Sequence, residues 1–169
     1  MKKRIPKTKA EESLSIDFNF YRELASVYQE MGYEAAFFGS LCRHYELASF
    51  WEEDDSGINM QFRLHVGEVI SIISEDGESF AILRSIFSHQ RNDQRFAFIV
   101  INRFEITTQT KLGCPVYKLQ DTQMIRPISE VITNGTAHFI HCCNDECIGG
   151  SHEFRNNLYI RNMYFFKAV

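Results

Sequence analysis

The stretch from Val66 to Glu105, VGEVISIISEDGESFAILRSIFSHQRNDQRFAFIVINRFE, constrains this chain more than any other. Three runs in it, Glu68–Ile73, Phe80–Phe87 and Phe96–Phe104, are rich in β-branched and aromatic residues, which fit a pleated, half-buried surface. Asp76-Gly77 separates the first two runs, and this dipeptide tolerates the positive φ that a tight hairpin turn requires. The segment between the second and third, His89–Arg95, is entirely polar. This spacing predicts a three-stranded antiparallel meander. Alternate side chains of a strand point to opposite faces. In the third run Phe96, Phe98, Val100 and Phe104 therefore share one face, interrupted by Asn102, while Ala97, Ile99 and Ile101 share the other. Apolar residues on both faces imply a strand covered on both sides, so the expected fold is mainly β, an antiparallel barrel.

Upstream of this stretch the period changes. Phe20, Tyr21, Leu24, Val27, Tyr28 and Met31 recur at three- and four-residue steps, which predicts an amphipathic helix docked on the barrel. Asp17 or Asn19 can cap its start and Gly32 can end it. Tyr33–Phe50 fits a strand pair or a second short helix, Trp51–Gly57 is an acidic loop, and Asn59–His65 alternates as a strand. Downstream, Thr107–Gly113 reads as a polar connection and Pro115–Leu119 as a short strand. A further segment runs from Pro127 through Val131-Ile132, Asn134-Gly135 marks a turn, and His138–His141 and Leu158–Ala168 are extended. Three parts result: a basic, disordered tail over 1–14, the helix and an extension over 15–65, and a β domain over 66–169.

Charge and cysteine usage narrow the classes. The formal net charge of −4 argues against an ordinary nucleic-acid binder, although Lys2, Lys3, Arg4, Lys7 and Lys9 crowd the first ten residues. Such a tail is a solvated arm or, in a sharper reading, a nuclear-import or nucleic-acid arm. No apolar run is long enough to span a bilayer as a helix, and the basic N-terminus lacks the apolar core of a secretory signal. Five cysteines, an odd number, suit a reducing compartment better than a disulfide framework.

Three of those cysteines fall in HFIHCCNDECIGGSH, His138 to His152. His141, Cys143, Cys147 and His152 form an H-x-C-x3-C-x4-H pattern, four ligands of the kind a tetrahedral Zn²⁺ accepts, with Gly149-Gly150 free to turn the chain back. A structural Zn²⁺ is the cofactor expected here. Cys142 and His138 are alternative ligands, but strand alternation would turn Cys142 away from His141 and Cys143. Four protein ligands leave no position for a catalytic water. A cysteine nucleophile, Cys142 or Cys143 with His141 as base and Asn144 or Asp145 orienting it, also requires an oxyanion hole. No catalytic residue is assigned.

The order of parts also resembles a known family. GEVISIISEDGESFAILRSIF, then FAFIVINRFE, then RPISEVI, then NLYIRNMYFF is similar to the bromo-adjacent homology (BAH) domain over about residues 66–169. Gly67-Glu68-Val69, Ile82 with Ile86-Phe87, Phe104-Glu105, Pro127 with Val131-Ile132, and Tyr159 with Arg161 and Tyr164 fall where the family's motif residues stand. The resemblance implies a non-enzymatic protein-interaction module of nuclear, chromatin-associated proteins, with a histone tail, nucleosome or chromatin protein as partner. Some members hold methylated lysine in an aromatic cage. By position Phe80 stands at a cage aromatic, Arg103 replaces the family's tryptophan, and Phe104 follows it; these three are the expected ligand-binding residues. Arg103 cannot form a cage wall, because its charge repels the ligand's cation. Two further readings are a DNA-associated module of a transcription regulator or mobile element, and a cysteine- or zinc-dependent hydrolase.

Overall fold

The computed structural model describes residues 3–4, 19–34, 42–53, 56–57, 59–74, 77–132, 137–142 and 156–164. Its centre is a long hairpin, β5 (Gly77–Arg91) with β6 (Gln94–Lys111), paired from Arg91↔Gln94 to Ala81↔Arg103. The hairpin turns at Asn92, whose φ of 53° suits a short polar side chain better than a branched one. A bulge at Leu83/Ser85 shifts the alternation of β5, so Phe87 still faces Phe98.

The other strands build outward from this pair. β4 (Val69–Ser74) pairs with the first half of β5, and β2 (Cys42–Glu53) pairs with the second half through Cys42↔His89 to Tyr45↔Ile86. β3 (Asn59–His65) returns along β2, and β1 (Lys3–Arg4) lies on the opposite edge of β2. The remainder of the basic tail lies outside the described residues. On the far side of β6 runs β7 (Cys114–Pro127). Beyond it come β10 (Leu158–Arg161) and then β9 (Phe139–His141). A 3-10 turn, Ile128–Glu130, bends the chain from β7 into β8 (Val131–Ile132), which pairs with β4. The ring β4–β5–β6–β7 is thus joined through covalent chain at that turn. The sheet is barrel-like, and among the described residues its ladder does not close.

Both faces of the central hairpin are covered, as the double apolar pattern of β6 predicts. On one face Leu83, Ile86, Ile99 and Ile101 pack against Ile70, Ile72, Ala48, Leu64 and Val131. On the other, α1 (Phe20–Glu30) lays Leu24, Val27 and Tyr28 onto Phe87, Phe98, Val100 and Ile125. Asn19 caps the helix by accepting from the Arg22 N–H at 3.1 Å, and Gly32 follows it at φ 82°. The outer edge of the expected stripe is a correction: Tyr21 is 68% exposed, because only the Leu24–Val27–Tyr28 side meets the sheet. The Tyr28 hydroxyl lies 2.7 Å from His89 Nδ1, and Arg126 of β7 reaches Glu30 at 2.8 Å. No described helix is long and apolar enough to cross a membrane.

Further sequence expectations are corrected. Thr107–Gly113 is not a connection, because β6 continues to Lys111 and only Leu112-Gly113 turns, with φ of 54° and 74°. The short strand at Pro115–Leu119 is one end of a 14-residue strand. Polar residues hide the extra length of both strands, because these stretches carry too few apolar side chains to show a strand period. The ambiguous Tyr33–Phe50 stretch resolves as strand from Cys42, and that strand carries Trp51–Glu53 out of the expected acidic loop.

Candidate ligand pocket where two hairpins diverge

The β5–β6 ladder stops at Ala81↔Arg103, but neither strand ends there. β5 stays with β4 down to Gly77, while β6 follows β7 to Lys111. The two hairpins splay apart, and a pocket of about 600 Å³ opens in the fork. Its size suits a small ligand or a few side chains. The β4–β5 hairpin contributes Ser74, Glu78, Ser79 and Phe80, and β6 contributes Arg103 to Ile106. Tyr117, Gln120, Thr122 and Met124 of β7 complete it.

All three residues expected to bind ligand line this pocket, each in a different setting. Phe80 and Phe104 are 4% and 5% exposed and belong to an aromatic cluster with Tyr117, Phe139 and Tyr159. Phe139 stacks on Phe104 at a centroid distance of 4.5 Å, which rolls β9 over this end of the sheet. The Arg161 guanidinium lies 4.3 Å from the centroid of the Phe80 ring. That ring already serves an internal cation, which is what a cage aromatic would offer a ligand. Arg103, half-buried, donates to Ser79 Oγ at 3.1 Å and so bridges the two strands just past their last ladder pair.

The third wall depends on a buried polar residue. Between Asn102↔Gln123 and Phe104↔Leu119 the β7 strand carries extra residues, Gln120 to Thr122, which bulge outward. Asn102, 4% exposed, fills the space beneath. Its Nδ2 lies 2.9, 3.1 and 3.2 Å from the carbonyl oxygens of Gln120, Asp121 and Thr122, so its two N–H groups are shared among three acceptors. Its Oδ1 accepts from Arg84 Nε at 2.6 Å. Only this amide orientation works, because the guanidinium donates and the carbonyls accept. The interruption of the apolar face by Asn102 is therefore what holds the bulge and the pocket wall. Glu78 and Glu105 are exposed at the rim, and Gln120 donates to Glu105 Oε2.

Sequence reasoning missed Glu78, Ser79, Gln120, Thr122 and Met124. Asn102 was the available signal, since a buried amide within an apolar run needs partners and those partners must be bent backbone.

The expected zinc ligands are only partly described. His141 is buried at the end of β9, its Nε2 2.7 Å from the Asn156 carbonyl oxygen and its ring edge-on to Tyr159. A carbonyl only accepts, so Nε2 carries the proton and Nδ1 is the nitrogen able to coordinate a metal. Cys143, Cys147 and His152 lie outside the described residues. Among the described residues no group of three or more His, Cys, Asp or Glu side chains is arranged to hold a metal ion. The neighbouring Cys142 is buried, and burial pushes its thiol pKa up.

The remaining thiol–imidazole neighbours are arranged for packing. Cys42 stands opposite His89 in the ladder, and burial pushes its pKa up to about 11. The pKa of His89 is lowered by burial and then by Arg91, and that of His44 by burial alone. A protonated thiol beside an imidazole that resists protonation is a poor nucleophile–base pair. No protein-family model, curated protein or solved structure matches this chain.

Proposed function

We propose that this chain is a non-enzymatic interaction module of the BAH type, acting in the nucleus, and that its pocket at the strand fork receives part of a chromatin protein or histone tail. The observation that carries this reading is the convergence of Phe80, Arg103 and Phe104 on one pocket whose exposed rim is acidic, through Glu78 and Glu105. Carboxylates at an aromatic-backed opening favour a basic segment of a partner. With the Phe80 ring engaged by Arg161 and Arg103 at the root of the fork, unmodified lysine or arginine fits this rim better than a methylated lysine that needs a free cage.

The test is pulldown and fluorescence anisotropy with nucleosomes and with modified and unmodified histone-tail peptides. Binding should weaken measurably on charge reversal at the rim, Glu78→Lys with Glu105→Lys, while folding is retained. Absence of binding at saturating nucleosomes and tails removes the chromatin reading. Steeply salt-dependent binding to bare duplex DNA would replace it with the DNA-associated reading.

A structural Zn²⁺ held by His141, Cys143, Cys147 and His152 belongs to the same proposal. It is supported by the Nε2–H contact that presents His141 Nδ1, and by Cys142 N donating to the Leu158 carbonyl at 2.8 Å, which draws together the flanks of the 143–155 segment. Near-stoichiometric zinc in freshly purified, reduced protein, lost on Cys147→Ala, is the expected result. Metal-free protein with the same stability would remove this part.

A further inference from the structure

We infer that the fork accepts an extended peptide as an added β-strand, lying between the free edges of β5 and β6. This rests on reading the pocket as a ligand site and specifies how the ligand is held.

Among the described residues, no strand pairs with Gly77–Phe80 on the side away from β4, and none pairs with β6 beyond Arg103 on the side away from β7. Two strand edges therefore face one pocket, each already held in β geometry by its other neighbour. Edge backbone groups are a template for further pairing, and proteins ordinarily blunt such edges. An extended segment entering here would find donors and acceptors on both sides, whereas ordinary strand addition uses one edge. The Arg103–Ser79 bridge marks the inner end of the slot, because it ties the strands together just past their last pair.

Alternation then fixes the side-chain pattern. Phe80 and Phe104 lie on one face of the diverging strands, while Ser79, Arg103 and Glu105 lie on the other. Successive residues of an inserted strand would point alternately to these two sides. Apolar residues would meet Phe80, Phe104 and Tyr117, and their neighbours would meet the polar side. On that side Glu105 is the exposed charge, since the Arg103 guanidinium is half-buried and already bonded to Ser79, and Glu78, two residues from Phe80, adds a second carboxylate at the rim of the aromatic side. The occupant is thus an extended segment of a partner protein alternating apolar and basic residues.

The experiment selects ligands from a phage-displayed random octapeptide library against the full chain. Enriched peptides are then synthesised with and without N-methyl groups at alternate backbone nitrogens. Alternating apolar and basic sequences should be enriched. Each blocked donor should weaken binding roughly 3- to 10-fold. Reversing Glu78 and Glu105 to Lys should weaken basic peptides roughly 2- to 5-fold per charge. Hydrogen exchange of amides within Gly77–Phe80 and Phe104–Ile106 should slow on binding. No enrichment, equal binding by the N-methylated peptides, or protection elsewhere overturns the inference. The chromatin reading fails separately: histone tails that do not bind, beside selected peptides that bind as strands, remove that reading alone, whereas tails that bind equally well when N-methylated remove strand addition alone.

Discussion

Replacing Asn102 by Ala tests whether one buried amide holds the pocket wall. The substitution removes an acceptor 2.6 Å from Arg84 Nε and two N–H donors shared among three bulge carbonyls. A hydrogen bond to a charged group contributes about 1.5–3 kcal/mol and a neutral one about 1 kcal/mol, for a gross loss of roughly 4 kcal/mol. Arg84 and Gln120 are half-buried and Asp121 and Thr122 are exposed, so water can reach some of the orphaned groups. We therefore expect a net loss of about 3 kcal/mol. At this chain length that lowers Tm by roughly 6–12 °C. Urea unfolding followed by circular dichroism should show a lower midpoint with an unchanged slope. Asn102→Asp should be at least as damaging near neutral pH, because a carboxylate keeps the Arg84 contact but sets negative charge against three carbonyl oxygens. Because Gln120 and Thr122 line the pocket, ligand affinity should fall together with stability. A loss under about 1 kcal/mol would refute the argument, showing that the bulge keeps its shape without the amide.

Other outcomes follow from the buried titratable groups. Burial raises the Tyr28 pKa from 10.0 to about 12, so its contribution to stability is present below pH 10.0 and is lost as pH rises toward 12; Tyr28→Phe should flatten that decline in Tm against pH. Burial lowers the pKa of His89 and of His44, so stability is full above their ordinary value of 6.5 and is lost as pH falls through the folded values; acid unfolding monitored in His89→Gln should begin at lower pH if the variant folds. The Cys42 thiol, pushed up to about 11, should resist iodoacetamide at pH 7–8 in the native state and react on unfolding, read by peptide mass spectrometry. Leu24→Ala, which empties a site under the helix that is 1% exposed, should cost about 2–5 kcal/mol in urea unfolding.

The local pattern of residues specified the β5–β6 hairpin, its two apolar faces and the amphipathic helix, because periodicity reports burial wherever one side of an element, or both, is dry. Phe96, Phe98 and Val100 against Ile99 and Ile101 carried that information without help from the rest of the chain. Strand lengths at the solvent side were hidden, since polar residues of Thr107–Lys111 and Gln120–Arg126 look the same in a strand and in a loop. Phe80, Arg103 and Phe104 could be singled out by position and line one pocket, but their environment was not legible. Whether two strands stay paired or part beyond Ala81 and Arg103 depends on which third strand each prefers, and that competition is settled between residues far apart along the chain. The same holds for Asn102, whose partners are carbonyls of a bulge about twenty residues downstream. Backbone bent by a distant neighbour leaves no mark in its own side chains, so the pocket exists only once the sheet has formed.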